Sequence, residues 1–470
     1  MISQLKRLGG DSLLYALMNV GTKLIAFLML PIYTSYLSPD EMGALENIDA
    51  LFAMLTFVVI FGTDSALAFF YYDTEDEKKK KDFFRNVMMF RLLVAASLFV
   101  FTVFLGDIIA NLLLGGPEYK YLLYFAMVVL LFESMVTLIL TYFRFNFKVS
   151  KVVIFTVVRL GLIALLSYLL LRFFMPTVDS ILYSRIAATI LIVLFLGSQV
   201  RRFFTFRINK VVLKEMLVYA APLVPASIAF WVIASSNRFF LSYFESLSSV
   251  GVYGVAVKFA TVITLVTSGV QMAWRPYSMS IKNKPDAKDL FAKFYIMIML
   301  VGVIGLLGVA TLIPYVFSFM IPNEIYAEAT KYIALLSAGT FLNFYYLIIS
   351  VGLFIEKKTS VISIYFGIAA LLSLLLNVLL IPTMSLLGAA LAIVLSYLTA
   401  TLLIYNRSQR VYKVPVNGFK LSYIFFNGFL AMLAIVYIHE FTDFSFIYVF
   451  IPWLYFILSL VVIRIWRDVR

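Results

Sequence analysis

The sequence predicts an all-α integral membrane protein with about fourteen transmembrane helices, and three observations predict it. About fourteen long apolar runs follow one another between residues 11 and 466, separated by short hinges. Each is roughly 20 residues or longer, the length a helix needs to cross ~30 Å of hydrocarbon. Of the 470 residues 63% are hydrophobic, and mean hydropathy is +0.99, too apolar for a soluble chain to cover its surface with polar groups. Finally, the basic residues fall in every second hinge, as topology control in a membrane requires.

The spans read in order as 11–36, 43–71, 84–106, 119–144, 150–173, 178–200, 218–241, 247–274, 290–316, 328–355, 358–381, 384–406, 418–438 and 444–466. The N-terminus resembles a signal peptide, with basic residues before an apolar run. That run is too long, is interrupted by Asn19 and Lys23, and lacks a small-residue cleavage site, so it is expected to stay as the first helix. An even number of spans puts both ends on one side. That side collects 29 basic residues, from Lys6 and Arg7 through Lys78 to Lys81, Arg201 and Arg202, to Arg464, Arg467 and Arg470. The opposite loops hold only Lys120, Arg172 and Lys331. Both termini are therefore expected in the cytoplasm, and the protein in the cell (cytoplasmic) membrane. The net charge of +13 then reflects topology and anionic lipid heads, and nucleic acid is not expected as a partner.

Several function classes are disfavoured. Cysteine is absent and His439 is the one histidine, so disulfides, thiolate sites and a His-rich metal site are not expected. There is no Walker-type phosphate loop. The outer loops are short and present no convincing acid/base or nucleophile set, so neither an enzyme nor a bound cofactor is expected; coupling to Na⁺, H⁺ or membrane potential is compatible with the sequence.

The two halves echo each other. LLYALMNVGTKL, followed by SYLSPDEMGALENIDALFAML, has its counterpart in MLVYAAPLVPAS, followed by SYFESLSSVGVYGVAVKFATVI. Tyr15-Ala16 matches Tyr219-Ala220, and Gly43 matches Gly251. Both copies start from the same side, so they are parallel repeats. The expected organisation is a lobe over 1–200 (helices 1–6), a cytoplasmic amphipathic linker over 201–217, a second lobe over 218–410 (helices 7–12), and two extra helices over 411–470. Two six-helix lobes around a central cavity follow from this reading. Pro222 and Pro225 remove backbone donors and should bend the seventh span.

These features resemble the polysaccharide transporter (flippase) family of the multidrug/oligosaccharidyl-lipid/polysaccharide exporter superfamily. The resemblance rests on the first-helix segment, its echo in the second half, the Leu-x-Pro-x-x-x-Gly loop and the helix layout. It implies a V-shaped pair of lobes whose first two helices line the cavity, and lipid-linked saccharides as cargo. Related branches carry lipid-linked peptidoglycan precursor or drugs.

Charges inside the apolar runs point to the site. Ser12, Tyr15, Asn19 and Thr22 form a polar stripe on the first helix, with Asp11 and Lys23 beside it. Span eight repeats the pattern with Lys258, Thr261, Thr264, Ser268, Gln271 and Arg275. A central Lys or Arg facing lipid costs roughly 2.5–3.5 kcal/mol, so both stripes should face water. Lys23, Arg238, Lys258 and Arg275 are the candidate ligands for the phosphate of a polyprenyl-linked saccharide. Ion pairing with nearby carboxylates is their alternative role. Glu46, Asp49 and Asp64 read as partners of such cations, as ion- or proton-coupling groups, or as sugar hydrogen-bonders; with Asn19 and Gln271 they complete the cavity candidates. Arg91, Glu133, Arg159 and Arg185 read as internal ion pairs between helices.

The function expected is a flippase that moves an undecaprenyl phosphate- or pyrophosphate-linked oligosaccharide from the cytoplasmic to the outer leaflet by alternating access, for cell-surface polysaccharide synthesis. The alternatives are a cation-coupled multidrug exporter and a lipid-linked peptidoglycan precursor flippase. Membrane lipids and glycan-polymerising or assembly proteins are the expected partners.

Overall fold

The structure, a computed structural model, describes residues 2–205, 208–441 and 446–465. Arg207, Arg467, Arg470 and the side chains of Lys6, Arg7, Asp11 and Ser12 lie outside the described residues. Among the described residues all regular structure is helical. Twelve stretches are long and apolar enough to cross a membrane. The longest, Ser360–Val411, carries non-helical dihedrals at Ser385 (φ 51°, ψ −128°), three residues after Pro382, and so comprises two rods. Dividing it there and adding the shorter helix Phe446–Val462 brings the described spans to fourteen. The chain is a multi-pass membrane protein, and the helix count expected from the apolar runs holds.

Local chemistry sets where helices begin and bend. Ser38 and Glu41 form a capping box: the Glu41 N–H donates to Ser38 Oγ at 3.3 Å and the Ser38 N–H to Glu41 Oε2 at 3.1 Å. Pro39 occupies the first helical position, where a missing N–H costs nothing, and starts Pro39–Ile60. The second span then breaks. Phe61 (φ 45°) and Gly62 (φ 68°) both lie in the left-handed region, and a new helix, Thr63–Tyr72, begins. A Cβ on Gly62 would stand 3.0 Å from the Ala220 carbonyl oxygen, so glycine also permits that close approach. In the seventh span the helix Lys210–Ala220 gives way to a 3₁₀ turn, Ala221–Leu223, at Pro222, before Val224–Ser235 resumes.

The chain forms two compact units. The first comprises 1–231 with 238–251; the second comprises 232–237 with 252–470. At the end of the first unit that carries the basic loops, an aromatic cluster closes the core. Phe84, Tyr142 and Phe203 stand with ring centroids 4.9 to 5.4 Å apart, and the Arg202 guanidinium lies 5.2 Å over Tyr142. Within 201–217, Phe203 and Met216 are fully buried in this cluster while Val211 is exposed. Also in the first unit, the repeat-matched glycines meet. A Cβ on Gly43 would overlap the Leu247 carbonyl oxygen, and a Cβ on Gly251 would overlap the Pro39 carbonyl oxygen. The reciprocal contact lets the backbones of Pro39–Ile60 and Leu247–Ala260 touch.

In the second unit, Tyr345 donates to the Tyr295 carbonyl at 3.0 Å and Tyr295 to the Ile349 carbonyl at 3.2 Å, tying Ala287–Met320 to Thr330–Ile349. The last two helices are fastened to the same scaffold. Trp453 donates to Thr311 Oγ1 at 3.0 Å, and Lys331 pairs with Glu440 at 2.6 Å.

Candidate functional site

In the first unit, four guanidinium–carboxylate pairs among the described residues join different apolar helices. They differ in how they are enclosed. Arg91 is completely buried; its Nη2 donates to Asp64 Oδ1 at 2.7 Å and to Thr63 Oγ1 at 2.7 Å, and its Nε to Thr63 Oγ1 at 3.0 Å. The break at Phe61–Gly62 makes this possible, because it turns Thr63 and Asp64 into the first residues of a new helix, facing Glu77–Leu114. Arg238 donates through Nε to Glu46 Oε2 at 3.0 Å, and the two residues are 8% and 3% exposed. Beside this pair Trp231 Nε1 donates to the Ala50 carbonyl at 2.9 Å, and Asn47 Nδ2 and Ser242 Oγ both donate to the Leu113 carbonyl. These bonds stitch the Gly43–Gly251 crossing into the first unit.

The other two pairs share a cavity. Arg185 forms a two-pronged bond with Asp49, its Nη1 to Oδ1 and its Nη2 to Oδ2 at 3.1 Å, and Arg159 pairs with Glu133. All four side chains line one cavity of about 290 Å³. Each side chain is between 15% and 35% exposed, so the charged groups face space rather than closed packing.

The remaining candidates are spread over both units. Lys23 and Asn19 are exposed on Ile2–Leu28, where Thr22 Oγ1 donates to the Asn19 carbonyl at 3.0 Å. In the second unit Lys258 is half-buried near the end of Leu247–Ala260, and Gln271 is exposed on Ile263–Ile281. Arg275 is exposed on that helix and lies 4.3 Å above the Phe354 ring, a cation–π contact. The structure thus joins Glu46 to Arg238, while Asp49 and Asp64 take their cations from the arginines of other helices. Thr63 and Phe354 were missed from the sequence. Thr63 had a signal in its place beside Asp64; Phe354, 79 residues from Arg275 in the chain, had none. Among the described residues no cluster of His, Cys, Asp or Glu could hold a metal ion.

A fold of this kind, with charges held at membrane depth, can be set beside known proteins. The family described as "Polysaccharide biosynthesis protein" matches residues 8–282, more than half of the chain. The chain belongs to that family. Among solved structures, the lipid II flippase MurJ in an inward closed conformation is similar with a TM-score of 0.74 at 15% identity, over 97% of this chain and 99% of that one. An inward-facing multidrug resistance MATE family transporter of the MOP superfamily gives 0.60 at 17% identity, over 83% of this chain and 94% of that one. The Vibrio cholerae MATE transporter VcmN gives 0.54 at 13% identity, over 88% and 98%. At these identities the likeness is one of fold. A search of curated protein sequences finds no match. This member of the polysaccharide biosynthesis protein family accordingly has the fold of MurJ and the MATE proteins.

Proposed function

We propose that the protein flips a polyprenyl phosphate- or pyrophosphate-linked oligosaccharide from the cytoplasmic to the outer leaflet, by alternating access, during cell-surface polysaccharide synthesis. The observation that carries this reading is the combination of family membership with cationic side chains at membrane depth on a MurJ-like fold. A phosphate entering an apolar interior loses its hydration, and fixed ammonium and guanidinium groups replace it. Lys23 and Lys258 are the first ligands in this scheme. Arg238, now paired with Glu46, and Arg275, now over the Phe354 ring, are the further candidates in their respective units. The basic loops face the cytoplasm, and the potential, negative inside, drives anionic cargo outward by about 2.3 kcal/mol per charge per 100 mV. The lipid tail stays in the bilayer, and no covalent step is needed.

The test is leaflet accessibility of a lipid-linked oligosaccharide in proteoliposomes, with the parent chain beside Lys23→Ala and Lys258→Ala. Transfer that depends on the protein and falls in both folded variants supports the proposal. An absence of transfer across a panel of lipid-linked glycans, with saturable export of a cationic dye, overturns it in favour of a drug exporter. Transfer confined to lipid-linked peptidoglycan precursor would keep the flippase and replace the cargo.

A further inference from the structure

The cavity of the first unit carries chemistry that phosphate binding does not use. Asp49, Glu133, Arg159 and Arg185 arrive on four different helices: Pro39–Ile60, Lys120–Phe145, Val149–Phe173 and Val178–Phe195. Each stands well inside its helix. Asp49 is ten residues past Pro39, roughly 15 Å along the axis, and Arg159 is fourteen residues before Phe173, roughly 21 Å. The cavity is therefore at membrane depth. Packing alone does not account for these groups, because apolar residues of similar volume serve a closed helix interface as well or better than buried ion pairs. The Arg91 guanidinium is sealed completely and only its partner Asp64 reaches the surface; here both guanidiniums and both carboxylates border one shared space.

The charge balance selects the occupant. Two guanidiniums and two carboxylates sum to zero. A phosphate in this space would meet Asp49 and Glu133 at close range, and a cation would meet Arg159 and Arg185. A neutral polyhydroxy group meets neither repulsion: each hydroxyl donates to a carboxylate and accepts from a guanidinium. Phe52 and the aliphatic lining supply an apolar wall for the C–H face of a sugar ring. A volume of about 290 Å³ sits at the lower edge of the ~300–1,000 Å³ common for ligand pockets, which suits one sugar and not a chain.

We infer that this cavity is a subsite for a single neutral sugar residue of the cargo, read by Asp49, Glu133, Arg159 and Arg185 through hydrogen bonds to its hydroxyls. The inference rests on the lipid-linked saccharide reading above, and its test separates the two. Purified full-length protein is titrated with a short-chain polyprenyl pyrophosphate carrying one neutral hexose, and with the same lipid lacking the sugar. The parent should bind the hexose form about tenfold or more tightly, the effect of one or two charge-assisted hydrogen bonds. The paired neutralisation Asp49→Asn with Arg185→Gln strands no charge. Ala126→Leu fills the cavity from its wall without touching a charged group. Both should bring hexose-lipid binding down to the sugar-free level and leave sugar-free binding unchanged. Equal affinity of the parent for the two lipids, or an equal loss for both lipids in the variants, overturns the subsite. Preference for the hexose lipid in a parent that transfers no lipid in proteoliposomes would keep the subsite and sink the flippase reading. Transfer without any sugar preference would do the reverse.

Discussion

Removing one member of the Glu46–Arg238 pair should be far more damaging than removing both. Glu46 is 3% exposed and Arg238 8%, and the two are held at 3.0 Å, so Arg238→Ala leaves a carboxylate in a nearly dry interior. Breaking such a pair costs about 3–5 kcal/mol, whereas replacing both members with neutral residues of like volume is often neutral or stabilising. For a unit of about 245 residues, at ~2–4 °C per kcal/mol, the single variants should melt roughly 6–20 °C below the parent. Glu46→Gln with Arg238→Met should melt within a few degrees of it. The assay is thermal unfolding in detergent, followed by the soluble monomer peak in size-exclusion chromatography, arranged as a double-mutant cycle. The expected coupling is at least ~2 kcal/mol, well outside the ~0.3–0.5 kcal/mol scatter of independent sites. Additive single effects would refute the buried pair. The double variant also divides the roles of Arg238: full stability with lost transfer assigns the guanidinium to cargo, and full stability with full transfer assigns it to structure.

Two further outcomes follow from backbone geometry. Gly43→Val and Gly251→Val should each force apart the crossing of Pro39–Ile60 and Leu247–Ala260 at a cost of about 1–3 kcal/mol, visible as a lower melting temperature; an unchanged temperature in both variants would remove the crossing. Gly62→Ala should destabilise by about 1–2 kcal/mol through its positive φ, and Gly62→Asn, which tolerates that region, by less; the reverse order in thermal unfolding would argue against the left-handed break.

How far the sequence exposes this molecule varies with the range of the interaction involved. The spans are legible because hydropathy over about 20 residues is a local quantity, and the two-rod nature of Ser360–Val411 is legible for the same reason. The break at Phe61–Gly62 is not legible. Glycine is ordinary in membrane helices, and the Ala220 carbonyl that this one packs against lies 158 residues away in the chain. The intramembrane charges stand out against an apolar background. Their partners do not, because Asp49 finds Arg185 across 136 residues and Glu46 finds Arg238 across 192. The repeat offers an intermediate case. Gly43 and Gly251 are matched by alignment of the two halves, yet nothing in that match says they touch. The reciprocal overlap with Leu247 and Pro39 is a close approach of two backbones, which only the folded chain shows.

Exposure separates the roles of the four pairs better than residue type does. Arg91 and Arg185 are chemically identical, each facing an aspartate from a neighbouring helix. Arg91 has no exposed surface and donates through Nε and Nη2 to Thr63 and Asp64, so it secures the helix that restarts after Gly62. Arg185 keeps part of its guanidinium open, beside a second pair of the same composition, around a shared volume. Charge held in apolar surroundings is costly in both places, and only the second gathers two guanidiniums and two carboxylates around one volume. The proposed cargo, with phosphate and sugar on one molecule, asks for both kinds of polar surface: net positive for the one, balanced for the other. In the proposed scheme those two surfaces stand apart, at the exposed Lys23 and in the charge-balanced cavity around Asp49 and Glu133, both in the first unit. Loss of phosphate binding and loss of sugar preference should therefore be separable by mutation.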